Sequence, residues 1–183
     1  MNKILTTTFV FLLYPCIIIA QNIVCFTIES NPNPNNTALS PFTKYVDIMG
    51  CLSIYAENSI PDSKVLHAAA IAAELLDNNE DGIIDDLLLE NKLKYENALI
   101  PIFSYEGSPA ENIFFNNYNG DGVSAVLYNN EIDPNNPGYW GNDASVEEIL
   151  HTINHVGHTN IYPSAFSLSP NSSLLTDAMD IAR

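Results

Sequence analysis

The chain has very little positive charge. Six Lys and Arg stand against 22 Asp and Glu, which gives a net charge of −16 at pH 7. A field of that sign repels phosphate groups, so we expect neither a nucleic-acid partner nor binding to anionic lipid. Charged residues are only 15% of the chain and apolar residues 46%, which predicts a folded protein rather than a disordered acidic tail. The excess of carboxylates favours metal cations or basic partners.

Several sequence signals of known chemistry are also missing. The chain has three cysteines but no Cys-x-x-Cys pair, no phosphate-binding glycine loop and no nucleophile elbow. These absences argue against a thiol oxidoreductase, a nucleotide-binding enzyme and a serine hydrolase of the elbow type. The nine tyrosines are scattered rather than regularly spaced, so the sequence predicts no carbohydrate platform.

Long apolar runs are scarce, and the clearest one lies in the first 20 residues. Lys3 supplies a basic start, an apolar stretch follows, and Ala20 is a small residue before a cleavage point, so residues 1–20 are predicted to be a secretory signal peptide. A signal-anchor helix is the alternative, which Pro15 and three threonines disfavour. We therefore expect a secreted protein without a membrane partner after cleavage.

Removal of the signal peptide discards Cys16 and leaves Cys25 and Cys51. An even pair of cysteines in an exported chain predicts one disulfide, worth about 3–4 kcal/mol in the loop-entropy model. Two buried free thiols are the alternative. Asn35 and Asn171 begin Asn-x-Ser/Thr sequons and are predicted glycosylation sites if the host is a eukaryote.

The remaining length, about 160 residues, suits one hydrophobic core. We predict an extended, exposed N-terminal segment over residues 21–42 and a single globular domain over residues 43–183. The fold class is α+β, a helix-rich domain with a short antiparallel sheet, an EF-hand-like helix–loop–helix and a zincin-like histidine helix.

The predicted elements follow from periodicity and capping residues. An apolar stripe predicts a helix from Asp62 to Asp77, with Asp62 or Ser63 as its cap, and a second helix begins near Asp85 or Asp86. β-prone runs over residues 99–105 and 123–128 predict strands, and a last helix begins near residue 176. His67, in the first helix, is assigned to packing or to the surface.

A run of oxygen-bearing side chains, Asp77-Asn-Asn-Glu-Asp-Gly-Ile-Ile-Asp85, lies between the first two helices. This DxNxDGxxD segment resembles the calcium loop of EF-hand and dockerin modules, and calcium binds six to eight hard oxygen ligands. The resemblance implies calcium ligands at Asp77, Asn79, Asp81, Ile83 (through its carbonyl) and Asp85.

The resemblance has supporting positions and one departure. Gly82 occupies the sharp-turn position and Ile84 the aliphatic position 8, but Leu88 replaces the bidentate acid of position 12. Glu90 is two residues too late, and its substitution for that acid is a conjecture. Binding is therefore expected to be nearer millimolar than micromolar. The alternative is an acidic linker without an ion.

Residues 147–158 contain three of the chain's four histidines and two adjacent glutamates. On a helical wheel the polar side chains fall on one arc and the aliphatic side chains on the opposite arc. Imidazole and carboxylate groups are zinc ligands, and histidines at i and i+4 can share one ion. Ser145 with Glu148 predicts a capping box at the start of this helix, and Gly157 predicts its end. The polar arc comprises Glu147, Glu148, His151, Asn154, His155 and His158.

This helix resembles the active-site helix of zincin metallopeptidases, whose HExxH motif supplies two ligands and a general base. The match is incomplete in either register. When His151 and His155 are the ligands, Thr152 stands in the place of the base. When Glu148 is the base, Glu147 replaces the first histidine.

The resemblance implies a zinc site with Glu147, His151 and either His155 or His158 as ligands. Glu148 would then take the proton from a zinc-bound water. A solvent-facing amphipathic helix, whose histidines contact water or carboxylates, is the alternative.

As a whole, the chain resembles a diffuse group of exported, uncharacterised proteins with a DxNxDGxxD segment upstream of a Glu-Glu-x-x-His helix. That resemblance implies calcium binding more firmly than an activity. The leading hypothesis is a secreted calcium-binding protein with a zincin-like metal-binding helix, whether or not that helix is active. The alternatives are an active zinc-dependent extracellular peptidase that uses Glu148, and a non-enzymatic matrix or adhesion module.

Overall fold

A computed structural model describes residues 26–135, 143–168 and 173–182 of the chain. The predicted signal peptide, Cys25 and Asn171 lie outside the described residues, so those predictions stay predictions. Cys51 is buried and forms no disulfide with a described residue. Burial raises the pKa of its thiol to about 12.

Five strands form one sheet in the described part of the chain, and their order in the sheet follows the sequence. β1 (Glu29–Ser30), β2 (Lys44–Ile48) and β3 (Leu52–Ala56) are antiparallel neighbours. β4 (Leu99–Phe103) and β5 (Leu127–Tyr128) extend the sheet in parallel with β3. The α+β class is therefore confirmed, whereas the prediction of an antiparallel sheet is wrong for this half. Helices connect β3 to β4 and β4 to β5, and such crossovers return the chain in the same direction.

The helices of the first half lie between strands. α1 (Asp62–Leu76) and α2 (Leu87–Glu96) connect β3 to β4, and α3 (Pro109–Asn117) connects β4 to β5. Both predicted helices of this region are confirmed, α2 with Asp86 as its N-cap. Asp62 does not cap α1, because it is the first helical residue and contacts Lys44 instead.

The second half is helical after a short 3₁₀ turn at Asn129–Glu131. It comprises α4 (Ser145–Thr152), a π-helical segment (Ile153–His158), α5 (Thr159–Ile161), α6 (Pro163–Phe166) and α7 (Leu174–Ile181). α7 begins earlier than predicted, because Ser173 accepts the backbone N–H of Thr176 and caps it. None of the described helices combines the length and apolar character needed to cross a bilayer.

The sheet separates two apolar clusters, because alternate residues of a strand point to opposite faces. The larger cluster packs β2, β3 and β4 residues such as Ile48, Ile54 and Ile100 against α1, α2 and α4. The smaller cluster packs Tyr55 and Phe103 from the other face against α3 and the segment before β2. The sheet thus lies between a helical layer and a thinner aromatic layer.

The N-terminal segment is more integrated than predicted. Its described part contributes β1, and Ala38, Leu39 and Phe42 are buried in the smaller cluster. Phe42 contacts the rings of Phe103 and Phe114. The description of residues 21–42 as an exposed loop is therefore wrong for its second half, although Asn35 is exposed as a sequon requires.

Candidate functional site

The loop between α1 and α2 is organised around the carboxylate of Asp77. Asp77 is the C-cap residue of α1 and is only 5% exposed. Its Oδ1 accepts the backbone N–H of Asp81 at 3.2 Å, and its Oδ2 accepts that of Gly82 at 2.8 Å. Gly82 has φ +85°, a left-handed conformation that favours glycine. One buried carboxylate thus holds the turn in place.

The next two predicted ligands, Asn79 and Asp81, each accept a hydrogen bond from the backbone of the loop. Asn79 Oδ1 accepts the N–H of Asp81 at 2.9 Å, and Asp81 Oδ1 accepts the N–H of Ile83 at 2.9 Å. Each side-chain oxygen therefore faces the backbone of the same loop, as in an Asx turn. Ile83 is exposed, whereas Ile84 is buried in the larger core cluster. This burial agrees with the aliphatic position expected there.

Asp85 closes the loop from its other end. Its Oδ2 accepts the N–H of Asn78 at 2.9 Å, and its Oδ1 accepts Nδ2 of Asn79 at 3.1 Å. The backbone N–H of Asp85 donates to the carbonyl of Leu76 at 3.0 Å, which returns the chain to the end of α1. The five predicted calcium ligands are thus residues of one compact loop.

The twelfth position of the loop has no acid. Leu88 occupies it and is exposed. Glu90 bonds Lys94, one turn further along α2. Asp86 is also engaged, because its Oδ1 caps α2 and its Oδ2 accepts the hydroxyl of Tyr162 at 2.9 Å. The carboxylate of Glu90 pairs with Lys94, and its part in the ligand set stays a conjecture.

The histidine helix begins differently from the prediction. Ala144 is the N-cap of α4 and Ser145 is its first residue. Ser145 donates both its hydroxyl and its N–H to Oδ1 of Asp143, at 2.6 and 3.1 Å. The predicted capping box of Ser145 and Glu148 is therefore wrong, and Asp143 performs the capping task. Glu148 is left without that structural role.

The start of the predicted zinc site is exposed. Glu147 Oε1 and His151 Nε2 are 3.9 Å apart, and each side chain is more than half exposed. Glu148 is half-buried, and burial raises the pKa of its carboxyl, an effect that the neighbouring His151 opposes. These three side chains are neighbours on α4, which agrees with the helical wheel.

The remaining histidines belong to the π-helical segment. Gly157 does not end the helix, which continues to Ile161. Glycine serves packing at this position instead, because an added Cβ would clash with Cδ1 of Leu89 and prevent the close contact with α2. His155 is exposed, whereas the ring of His158 stacks on Phe166 with centroids 4.7 Å apart. Burial lowers the pKa of His158, and the charge of Asp86 opposes that shift.

The half-buried ring of His158 is thus engaged with Phe166. Across the described residues, no group of three or more His, Cys, Asp or Glu side chains is arranged to hold a metal ion. A zinc site needs three such protein ligands, and the described arrangement does not assemble them. The same finding applies to Asp77, Asp81 and Asp85, so the three aspartates of the predicted calcium loop are not arranged as an ion-binding group either. A calcium loop also uses amide and carbonyl oxygens, which that finding does not cover.

A polar pair between α1 and α4 was missed by the sequence analysis. His67 Nε2 lies 2.7 Å from Oδ2 of Asp143, whose side chain is 1% exposed. Burial raises the pKa of Asp143, but hydrogen bonds from Ser145 and His67 outweigh that effect and leave the pKa below its ordinary value. The two residues are far apart in the chain, so no sequence motif could have paired them.

The loop of residues 77–85 and the histidine helix therefore offer different chemistry. The loop of residues 77–85 gathers carboxylate and amide oxygens, which suit a hard cation. The histidine helix presents a glutamate–histidine pair and a half-buried carboxylate beside it. Comparisons with protein-family models, with curated proteins and with solved structures each return no match.

Proposed function

We propose that this chain is an exported calcium-binding protein whose ion-binding element is the loop of residues 77–85. One observation carries the proposal: the buried carboxylate of Asp77 is fixed by the N–H groups of Asp81 and Gly82 beneath an otherwise acidic loop. Four acids lie within these nine residues, and a bound divalent cation would offset the repulsion among their charges. Export rests on the predicted signal peptide of residues 1–20.

The proposed ligands are all oxygens. They are the side chains of Asp77, Asn79, Asp81 and Asp85, the last directly or through a water, and the carbonyl of Ile83. Without an acid at position 12, the dissociation constant is expected at about 10⁻⁴–10⁻³ M, which suits an extracellular module. Bound calcium would join the end of α1 to the start of α2.

Thermal unfolding with and without calcium tests this proposal. When the free calcium concentration is ten or more times the dissociation constant, binding raises the free energy of unfolding by about 1.4 kcal/mol or more. We therefore expect the melting temperature to rise by about 3–6 °C. Asp81→Ala should remove the increase. Asp121→Ala is the matched control, because Asp121 is an exposed acid in another loop and should leave it intact.

Magnesium at the same ionic strength separates a specific site from general screening. The proposal is contradicted if magnesium raises the melting temperature as much as calcium does. It is also contradicted if calcium raises the melting temperature of Asp81→Ala as much as that of the unchanged protein. That result would favour the third hypothesis, a matrix or adhesion module whose acidic loop only shapes the fold.

A zinc-dependent hydrolase is the second candidate, and it is favoured by the raised pKa of the half-buried Glu148 carboxyl. A general base needs a pKa close to the working pH. It would also require a third ligand from His155 or His158 beside Glu147 and His151. Glu148→Gln should then abolish peptide hydrolysis and keep zinc, whereas His151→Ala should lose both. Hydrolysis that survives Glu148→Gln contradicts this role.

A further inference from the structure

A polar cleft lies on the sheet face opposite α1. Its volume is about 520 Å³, within the range of small-molecule sites. The cleft is lined by the β2–β3 hairpin, by the C-terminal end of α2, by residues 117–120 at and after the end of α3, and by the segment of residues 33–39. The predicted calcium loop and the histidine helix contribute nothing to its lining.

Three tyrosines meet in this cleft although they are scattered in the sequence. Tyr45 and Tyr55 are directly opposite one another on β2 and β3, with ring centroids 5.0 Å apart and planes at 63°. Tyr118 stacks on Phe114 at 4.8 Å and 17°, so one face of its ring is fixed by the core. Tyr55 is only 4% exposed, so the aromatic surface open to a ligand is that of Tyr45 and Tyr118, each supported by the ring it packs on.

Side-chain amides and hydroxyls surround these rings. Asn33 donates its Nδ2 to the hydroxyl of Tyr55 at 2.9 Å, and the hydroxyls of Tyr45 and Ser53 are 3.3 Å apart. Four further asparagines line the cleft, namely Asn36, Asn97, Asn117 and Asn119. Asn36 Oδ1 already accepts the N–H of Ala38, and Asn117 Nδ2 already donates to the carbonyl of Ile113. Asn97 and Asn119 offer both donors and an acceptor.

The charged groups of the cleft already have partners. Lys94 bonds Glu90, Glu96 bonds Lys92, and Asp47 accepts the N–H of Gly50 at 3.0 Å. The net charge of the whole molecule also repels an anionic ligand. The hydrogen-bonding capacity that lines the cleft is therefore largely that of neutral groups.

We propose that this cleft binds a neutral carbohydrate, in the form of a short oligosaccharide segment. A sugar ring has an apolar face of C–H groups, which packs on aromatic rings, and a rim of hydroxyls, each of which donates and accepts. Fixed tyrosine rings bordered by carboxamides match both features. The site is independent of the proposed calcium loop, which lies elsewhere in the chain.

Direct binding measurements on the full chain test this inference. The probes are the soluble hexasaccharides of cellulose, xylan, chitin, amylose and β-1,3-glucan, each measured by saturation-transfer NMR and by calorimetry. We expect binding to at least one of them and none to the polyanion heparin. Failure of all five neutral probes, or binding of heparin alone, overturns the proposal.

Variants locate the binding site. Tyr45→Ala should weaken binding by about tenfold, while Tyr45→Phe, which keeps the ring, should change it by about threefold or less. Tyr105→Ala is the matched control, because Tyr105 is exposed and does not line the cleft. Asn119→Ala, at an exposed rim position, provides a variant with little effect on folding. Affinity unchanged in both Tyr45→Ala and Asn119→Ala would contradict the proposed location.

Discussion

At the scale of single residues, Asp143 shows how a buried charge can join two helices. Its Oδ1 caps α4 through Ser145, and its Oδ2 contacts His67 on α1. Both oxygens are thus used, which is the usual condition for burying a carboxylate without a large penalty. The pair fixes the position of α4, and with it the position of the histidine helix.

Asp143→Asn should lower the free energy of unfolding by about 1.5–3 kcal/mol at neutral pH, because hydrogen bonds to a charged group are lost. The folded-state pKa of Asp143 is depressed. Its contribution is therefore fully present above the unfolded pKa of about 3.9 and is lost as the pH falls through the folded pKa. Urea titrations should show that the difference in free energy of unfolding between the unchanged protein and Asp143→Asn is constant above about pH 5 and shrinks below about pH 4. A difference that grows on acidification would contradict this account.

Gly157 is a second residue whose role depends on contacts rather than on local conformation. In an ordinary helix Gly→Ala stabilises by about 1 kcal/mol. Here the added methyl would meet buried Leu89, so Gly157→Ala should destabilise by about 1–3 kcal/mol instead. Chemical denaturation measures whether Gly157→Ala raises or lowers the free energy of unfolding. A double-mutant cycle with Leu89→Ala should return a favourable coupling, and a stabilised Gly157→Ala protein would show that the contact is loose.

At the scale of elements, two glycines in different turns serve as a test position and its control for calcium binding. Gly82, in the predicted calcium loop, and Gly107, before α3, have φ of +85° and +78°, and neither has an atom within 4 Å of an added Cβ. Alanine at either position should therefore cost about 1–2 kcal/mol through the left-handed backbone alone. Only Gly82→Ala should also reduce the calcium-induced rise in melting temperature. Equal calcium responses in both variants would separate this turn from ion binding.

The sequence predicts elements well where local signals are strong. The apolar stripe of α1 and the cap at Asp86 located two helices, and the run at residues 99–103 located β4. The β2–β3 hairpin was missed because its turn lacks an Asn-Gly or Asp-Gly pair. Met49 instead adopts φ 51°, which is uncommon for a residue with a side chain. The hairpin depends on burial of Ile48 and Ile54, which no local rule reveals.

The candidate sites also divide into those formed by consecutive residues and those formed by residues distant in the sequence. The loop of residues 77–85 is local, so its position between two helices was predicted from the sequence, and its calcium ligands stay a prediction. The tyrosine cleft is not local, since Tyr45 and Tyr118 come together only through the sheet and α3. The histidine helix lies between these cases. Its wheel placed Glu147 near His151 correctly, but the wheel could not foresee the π-helical turn that takes His158 to Phe166.

At the scale of the whole molecule, the acidic charge is the dominant long-range term. A net charge of −16 destabilises a compact state through self-repulsion, and dissolved salt screens that repulsion. The same field concentrates cations at the surface, which would assist a loop of only millimolar affinity. The proposed calcium binding would act in the same direction as general screening, so the two must be measured separately.

Raising sodium chloride from about 0.01 M to about 0.1 M shortens the screening length from about 30 Å to about 10 Å, so we expect a higher melting temperature at pH 7. The effect should vanish near pH 4.2, the isoelectric point, because the net charge is then close to zero. Differential scanning calorimetry in chelator-treated buffer measures both conditions without a contribution from calcium. A salt response of equal size at the two pH values would mean that screening of net charge is not its cause. Ion pairs such as Lys44–Asp62 would not explain such a response, because salt weakens an ion pair and so lowers the melting temperature.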